Sequence, residues 1–275
     1  MAYNALVLLG WMERDIAIQF LMNDCVFDPP VTGHMAEALW IRYRERVDAL
    51  PERAAIAPER LPLTATEQES ARHFLDFFRR RGRAPNILDV IKVDGRRLVA
   101  WQNYVNLDRA RIYMDHVGAA TWCARNTLAL PNTSGGQVQI RSGPNCADVT
   151  LPHGEFMFGF VPPAGFQIQE QARHVSVTAY DNRLLLWAGY HRSYARIASA
   201  NPEGMDRSLL VVLTTDATFL FSHDSPNQGL RAMLCGLRPP LLGDFLDESL
   251  FMRVKLRRRR YELQIRAKVV SINDE

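Results

Sequence analysis

Near Pro85 the hydrophobic periodicity of this chain changes, and that change limits the possible folds more than any other feature. Before it, apolar residues recur at the three-to-four spacing of helices buried on one face. Val7, Leu8, Trp11, Ile16, Ile18, Phe20 and Leu21 make one such face, Pro29 and Pro30 break it, and Met35, Leu39, Trp40, Tyr43 and Val47 resume it. Residues 51–62 read as a linker. Thr64 and Glu67 stand at capping-box spacing ahead of Ala71, Phe74, Leu75, Phe77 and Phe78, which predicts a third helix ending near Arg81 and Gly82. Arg79, Arg80, Arg81 and Arg83 suit the negative end of that helix.

After Pro85, short apolar runs alternate with turn residues. Residues 87–93, 98–105, 137–140, 156–160, 175–179, 184–187 and 209–213 read as strands, and helical spacing returns over 107–124 and 193–200. The expected fold class is therefore α/β or α+β: a helical N-terminal region over residues 1–84, then a mixed-sheet domain over 85–275. An apolar fraction of 47% and a charged fraction of 23% are enough for a packed core and argue against long disorder.

The net charge of +3 does not by itself imply a nucleic-acid partner, so the distribution of charge matters more. Residues 251–270 alternate in two phases. Val254 and Leu256 occupy even positions, whereas Tyr261, Leu263, Ile265, Ala267 and Val269 occupy odd ones, which implies a hairpin or a bulged strand near Arg258. Its outer face would carry Arg253, Lys255, Arg257, Arg266 and Lys268. Cationic side chains commonly protect an edge strand from aggregation. Lys255 and the run Arg257, Arg258, Arg259 and Arg260 exceed that need and form a candidate nucleic-acid contact, since backbone binding requires clustered positive charge. Tyr261 is the only ring beside them, so base stacking has little support.

Cys25, Cys123, Cys146 and Cys235 are scattered without a Cys-x-x-Cys pair or a zinc spacing, and read as buried free thiols. The apolar run 5–12 has no basic segment before it and meets Glu13, Arg14 and Asp15 at once, which predicts neither a signal peptide nor a membrane span. A reducing, cytoplasmic location fits both features. Asp244, Asp247 and Glu248 follow Pro239 and Pro240 and read as the cap or solvated face of a helix start.

Residues 175–196 carry the most chemical information. They read as a strand, a turn at Asp181 and Asn182, a second strand over 184–187, and then Gly189, Tyr190, His191, Arg192 and Ser193 opening a helix. A strand that delivers Gly, His and Arg to a helix N-terminus suits an anion, because free amides point outward there. Gly189 permits close backbone approach, Arg192 can clasp two phosphate oxygens, and His191 can donate or accept a proton.

This segment resembles the ParB and sulfiredoxin-like superfamily, whose members carry a Gly-x-His/Arg-Arg box between a strand and a helix; the matching residues are Gly189, His191, Arg192 and Ala195. The likeness spans about residues 160–215 and implies a nucleotide or other phosphorylated ligand at the box, with a short helix and a strand over 168–177 and a further strand at 209–213. Tyr190 stands where sulfiredoxins place their cysteine, so sulfinic-acid reduction is not implied, and the helix-turn-helix of ParB proteins has no counterpart in order. The resulting expectation is a cytoplasmic nucleotide- or phosphate-binding protein, DNA-associated or regulatory in role, with a nucleotide as its one implied cofactor. Two other readings stand beside it. His153 and Glu155, completed by His174 or His191, could form a two-histidine, one-carboxylate metal site of an enzyme. Alternatively, the helical N-terminal region docks a protein partner and the box is structural.

Overall fold

The computed structural model describes residues 2–53, 59–80, 87–114, 128–129, 139–142, 147–150, 156–161, 165–170, 173–180, 182–199, 207–215 and 233–257. The chain opens with strand β1 (Ala2–Val7), followed by helix α1 (Arg14–Asn23), β2 (Cys25–Val26), α2 (Gly33–Asp48), β3 (Arg60–Leu61) and α3 (Ala65–Arg80). Next come β4 (Ile87–Asp94), β5 (Val99–Ala100), β6 (Tyr104–Asn106), α4 (Leu107–Met114) and β7 (Leu128–Ala129). Two hairpins pair β8 (Gln139–Ser142) with β9 (Ala147–Thr150) and β10 (Phe156–Val161) with β11 (Gly165–Glu170). The described chain ends with β12 (Arg173–His174), β13 (Ser176–Tyr180), β14 (Arg183–Ala188), α5 (Tyr190–Ser199), β15 (Ser208–Thr214) and β16 (Met252–Arg257).

Two sheets organise these elements. One is antiparallel and four-stranded, in the order β2-β16-β1-β6. The other is mixed and six-stranded, in the order β3-β4-β15-β13-β14-β5, with β15 parallel to β13 and β5 parallel to β14. Helices and mixed sheets therefore agree with the α/β or α+β class read from the sequence.

The largest core lies between the sheets. It joins Leu6 and Val105 of the first to Val177, Leu186, Leu209 and Val211 of the second, with Ala110 of α4 and Ala195 and Ile197 of α5 packed among them. On its other face the four-stranded sheet packs Ala5, Val7 and Val254 against Ala17 and Leu21 of α1 and Ala36 of α2. The six-stranded sheet likewise packs Val90, Leu210 and Val212 against Ala71 and Phe74 of α3. Consequently α5 is a middle-layer helix, and its first turn is anchored by the scaffold on both sides.

The sandwich explains where sequence periodicity misleads. Residues 2–7 are a strand, not the start of a helix that includes Val7. β1 is buried on both faces, Leu6 toward one core and Ala5 and Val7 toward another, so its apolar residues run on without a period of two. The expected linker contains β3, which pairs Arg60 and Leu61 with Val93 and Lys92. The expected strand 98–105 is two strands in different sheets, joined by a bend at 101–103. Residues 168–170 end strand β11 and residues 173–174 form β12, within the 168–177 stretch where the family resemblance implied a short helix and a strand.

Other expectations hold locally. Thr64 and Glu67 form the reciprocal cap of α3: the Thr64 amide donates to the Glu67 carboxylate at 2.8 Å, and the Glu67 amide donates to the Thr64 hydroxyl at 3.3 Å. Backbone bonding and the adjacent Lys92 ammonium outweigh burial and hold the Glu67 carboxyl below its usual range. In β16, Val254 and Leu256 are buried while Arg253, Lys255 and Arg257 are exposed. β1 pairs with β16 in register from Ala2 opposite Arg257 to Val7 opposite Met252, so the two ends of the described chain share one sheet across the expected boundary at residue 84. No helix among the described residues is long and apolar enough to cross a membrane.

Candidate functional site

Gly189 carries the chain from β14 into α5. Its φ of +88° lies in the left-handed region. A Cβ there would sit 3.0 Å from both Cα and Cγ2 of Val175 and 3.2 Å from the His174 carbonyl oxygen. Conformation and space both select glycine. The tight junction fixes the start of α5 against Val175 at the entry to β13, which the hairpin between β13 and β14 holds in place.

At that start, the Ser193 amide donates to the Gly189 carbonyl at 2.9 Å, and the Ser193 hydroxyl donates to the same oxygen at 3.0 Å. The amides of Tyr190, His191 and Arg192 therefore have no carbonyl within the helix to meet. Tyr190 is a strut: its buried hydroxyl accepts the Gln102 amide at 2.7 Å, tying α5 to the bend that links the two sheets. Burial pushes its phenol well above the usual range, only partly offset by that bond.

His191 and Arg192 share the first turn with Tyr190. His191 is half-buried, and its Nδ1 has no hydrogen-bond partner among the described residues. Burial, and then the charge of Arg109 on α4, lower its pKa from 6.5 to about 4, so the imidazole is neutral near pH 7. Arg192 is buried, and its guanidinium carbon stands 5.2 Å from the centroid of the Tyr113 ring on α4. One turn further on, Arg196 is also buried, and its Nε has no hydrogen-bond partner among the described residues. Chemically the junction offers first-turn amides, two buried guanidinium groups and a neutral imidazole, an arrangement suited to an anion.

The structure thus brings Gly189, Tyr190, His191, Arg192 and Ser193 together on one helix start, with the Tyr190 and Ser193 side chains engaged in internal hydrogen bonds. Lys255 and Arg257 of the proposed nucleic-acid set are exposed on β16, while Arg258, Arg259 and Arg260 lie outside the described residues. His153 and Glu155 also lie outside them, and His174 packs against Phe74 and Phe78 at centroid distances of 5.5 and 6.0 Å. Among the described residues there is no group of three potential metal ligands. Cys25 is a buried thiol pushed up to about 12 by desolvation, and Cys235 is half-buried; Cys123 and Cys146 lie outside the described residues.

Two residues of this neighbourhood escaped the sequence reading. Arg196 stands four residues after Arg192, the spacing that places two side chains on one helical face, so its position carried a usable signal. Arg109 carried none, because only the packing of α4 against α5 brings it near His191. Comparison with protein-family models, curated proteins and solved structures yields no match for this chain.

Proposed function

We propose that the protein binds a phosphorylated ligand at the junction of β14 and α5, a nucleotide being the case implied by the ParB and sulfiredoxin-like resemblance. One observation carries this reading: Gly189, at φ +88° and seated on Val175, starts a ten-residue helix whose first turn contains His191 and buried Arg192. The dipole and first-turn amides favour negative charge. A guanidinium at the same end supplies charge-assisted hydrogen bonds to phosphate oxygens. The neutral imidazole can exchange a proton with the ligand without adding to the positive charge.

Thermal unfolding with and without nucleoside triphosphates tests this function. A ligand at a hundred times its dissociation constant stabilises by about 2.7 kcal/mol, and Arg192→Gln removes that gain while the ligand-free variant still unfolds cooperatively. Equal nucleotide-induced shifts for the two proteins would reject the site.

A second reading concerns nucleic acid. Arg253, Lys255 and Arg257 form an exposed cationic row on alternate positions of β16. Such a row can follow a phosphate backbone, with affinity that falls steeply as salt releases condensed counterions. β16 lies between β1 and β2 rather than at a sheet edge, so binding to duplex DNA that is undetectable at low salt leaves the row as the solvated face of an inner strand, not edge protection.

A further inference from the structure

Arg196 has no role in the box that suggested a ligand, yet it is only 7% exposed and its Nε lacks a hydrogen-bond partner among the described residues. A buried N–H without an acceptor loses about 1–3 kcal/mol of hydration that no hydrogen bond among the described residues returns. Native proteins rarely retain such a group unless something outside the fold completes it. Its position indicates where that completion occurs. Long side chains on a helix lean toward its N-terminus, over the turn that precedes them. Arg196 therefore lies over the turn of Arg192, on the same face, and toward the end where the amides of the first turn are free of intrahelical acceptors.

Charge balance then sets the class of ligand, on the reading that this junction binds phosphate. His191 contributes no charge near pH 7, so the positive charge at the start of α5 comes from guanidinium groups on successive turns. A phosphodiester brings a single negative charge and two oxygens closed by substituents. A terminal phosphoryl group brings about two negative charges and three open acceptor oxygens. We infer that Arg196 is a second anion-binding residue of this site, and that the ligand presents a terminal, dianionic phosphoryl group rather than a phosphodiester. Arg192 and Arg196 hold the phosphoryl oxygens from one side, and the first-turn amides hold them along the helix axis.

The test uses methyl phosphate and dimethyl phosphate, a monoester dianion and a diester monoanion at pH 8, titrated calorimetrically into the full chain. Wild-type protein should prefer the monoester by about tenfold or more, the worth of one added charge-assisted contact. Arg196→Met should reduce that preference to near unity and raise the ligand-free melting temperature, because an apolar chain of similar length replaces a buried N–H that has no acceptor among the described residues. Equal wild-type affinity for the two esters overturns the inference and leaves the phosphate site standing. An Arg196→Met protein that keeps the wild-type preference overturns it as well. Should neither ester bind, the phosphate site itself falls and the inference with it. The wild-type preference requires no variant, so a poorly folding Arg196→Met protein does not spare the idea.

Discussion

Among the described residues, the Arg53–Asp244 pair and the start of α5 both place charge in the interior, and the first is the more completely satisfied. In the first, Asp244 is 5% exposed and its Oδ2 accepts from Arg53 Nη1 at 2.6 Å and from the Leu241 amide at 2.8 Å. Arg53 also donates its backbone amide to the Leu237 carbonyl. The second cluster is the start of α5, where Arg196 Nε and His191 Nδ1 are buried without partners among the described residues. A buried charge met inside the fold holds chain segments together, here residues 50–53 and 237–244. A buried polar atom left unmet has desolvation already in place and a partner still to come, which is the condition of a preorganised binding site. The difference between structural and ligand-binding charge is therefore one of satisfaction, not of burial.

The largest effect should come from breaking the Arg53–Asp244 pair. Asp244→Ala leaves Arg53 without its carboxylate and the Leu241 amide without its acceptor, and should cost about 3–5 kcal/mol in urea unfolding at pH 7. A loss below 1 kcal/mol would erase the distinction between the two clusters. Next in size is a pH effect at the start of α5. His191 titrates near 4 in the folded chain and near 6.5 when unfolded, so the unfolded state binds the proton more readily. Its stabilising contribution is complete above about pH 6.5 and is lost as pH falls through that window toward 4, by about 3 kcal/mol in total. Unfolding measured at pH 7 and pH 4 should show His191→Gln losing that much less than wild type; parallel losses would place the imidazole in water.

Gly189→Ala comes third. An L-residue at φ +88° is strained, and the added Cβ presses on the Val175 backbone, so about 2 kcal/mol of stability should be lost. Ligand-induced shifts should weaken together with stability, because the same peptide orients the first-turn amides. A variant that is destabilised but binds with full affinity would separate the junction from the site.

Much of this second cluster was legible in the sequence. The apolar run of β14, then Gly189, then charged residues at helical spacing, marked a strand-to-helix junction because glycine, turn and periodicity all fall at one place. What lay hidden has a common physical cause. Arg53 and Asp244 are 191 residues apart, and nothing local predicts that carboxylate as the partner of that guanidinium, although its capping role at the Leu241 turn was readable. β1 and β15 were unequal cases of the same burial on both faces. β15, with Leu209–Leu213 split between two cores, kept enough β-branched residues to read as a strand. In β1 the apolar run merged with the helical face that follows it, and pairing with the distant β16 decided the outcome.

The smallest effect concerns Tyr190, which belongs to α5 by position but to the scaffold by bonding. Its hydroxyl accepts the Gln102 amide at 2.7 Å, and the ring is 4% exposed in the core between the sheets. Tyr190→Phe keeps the packing and removes only the acceptor, leaving the amide of Gln102 unmet in a part-buried place. Such a deletion typically costs about 1 kcal/mol, because the donor loses its partner without regaining water. The hydroxyl is directed at the bend between β5 and β6, not at the first-turn amides, so affinity for a phosphorylated ligand should stay within about twofold of wild type. Chemical denaturation and ligand titration on the same preparation read the two quantities independently. A Tyr190→Phe protein of wild-type stability with weakened binding would move the hydroxyl from the scaffold into the site. The expected opposite, weakened stability with intact binding, would show that scaffold and site divide α5 side chain by side chain.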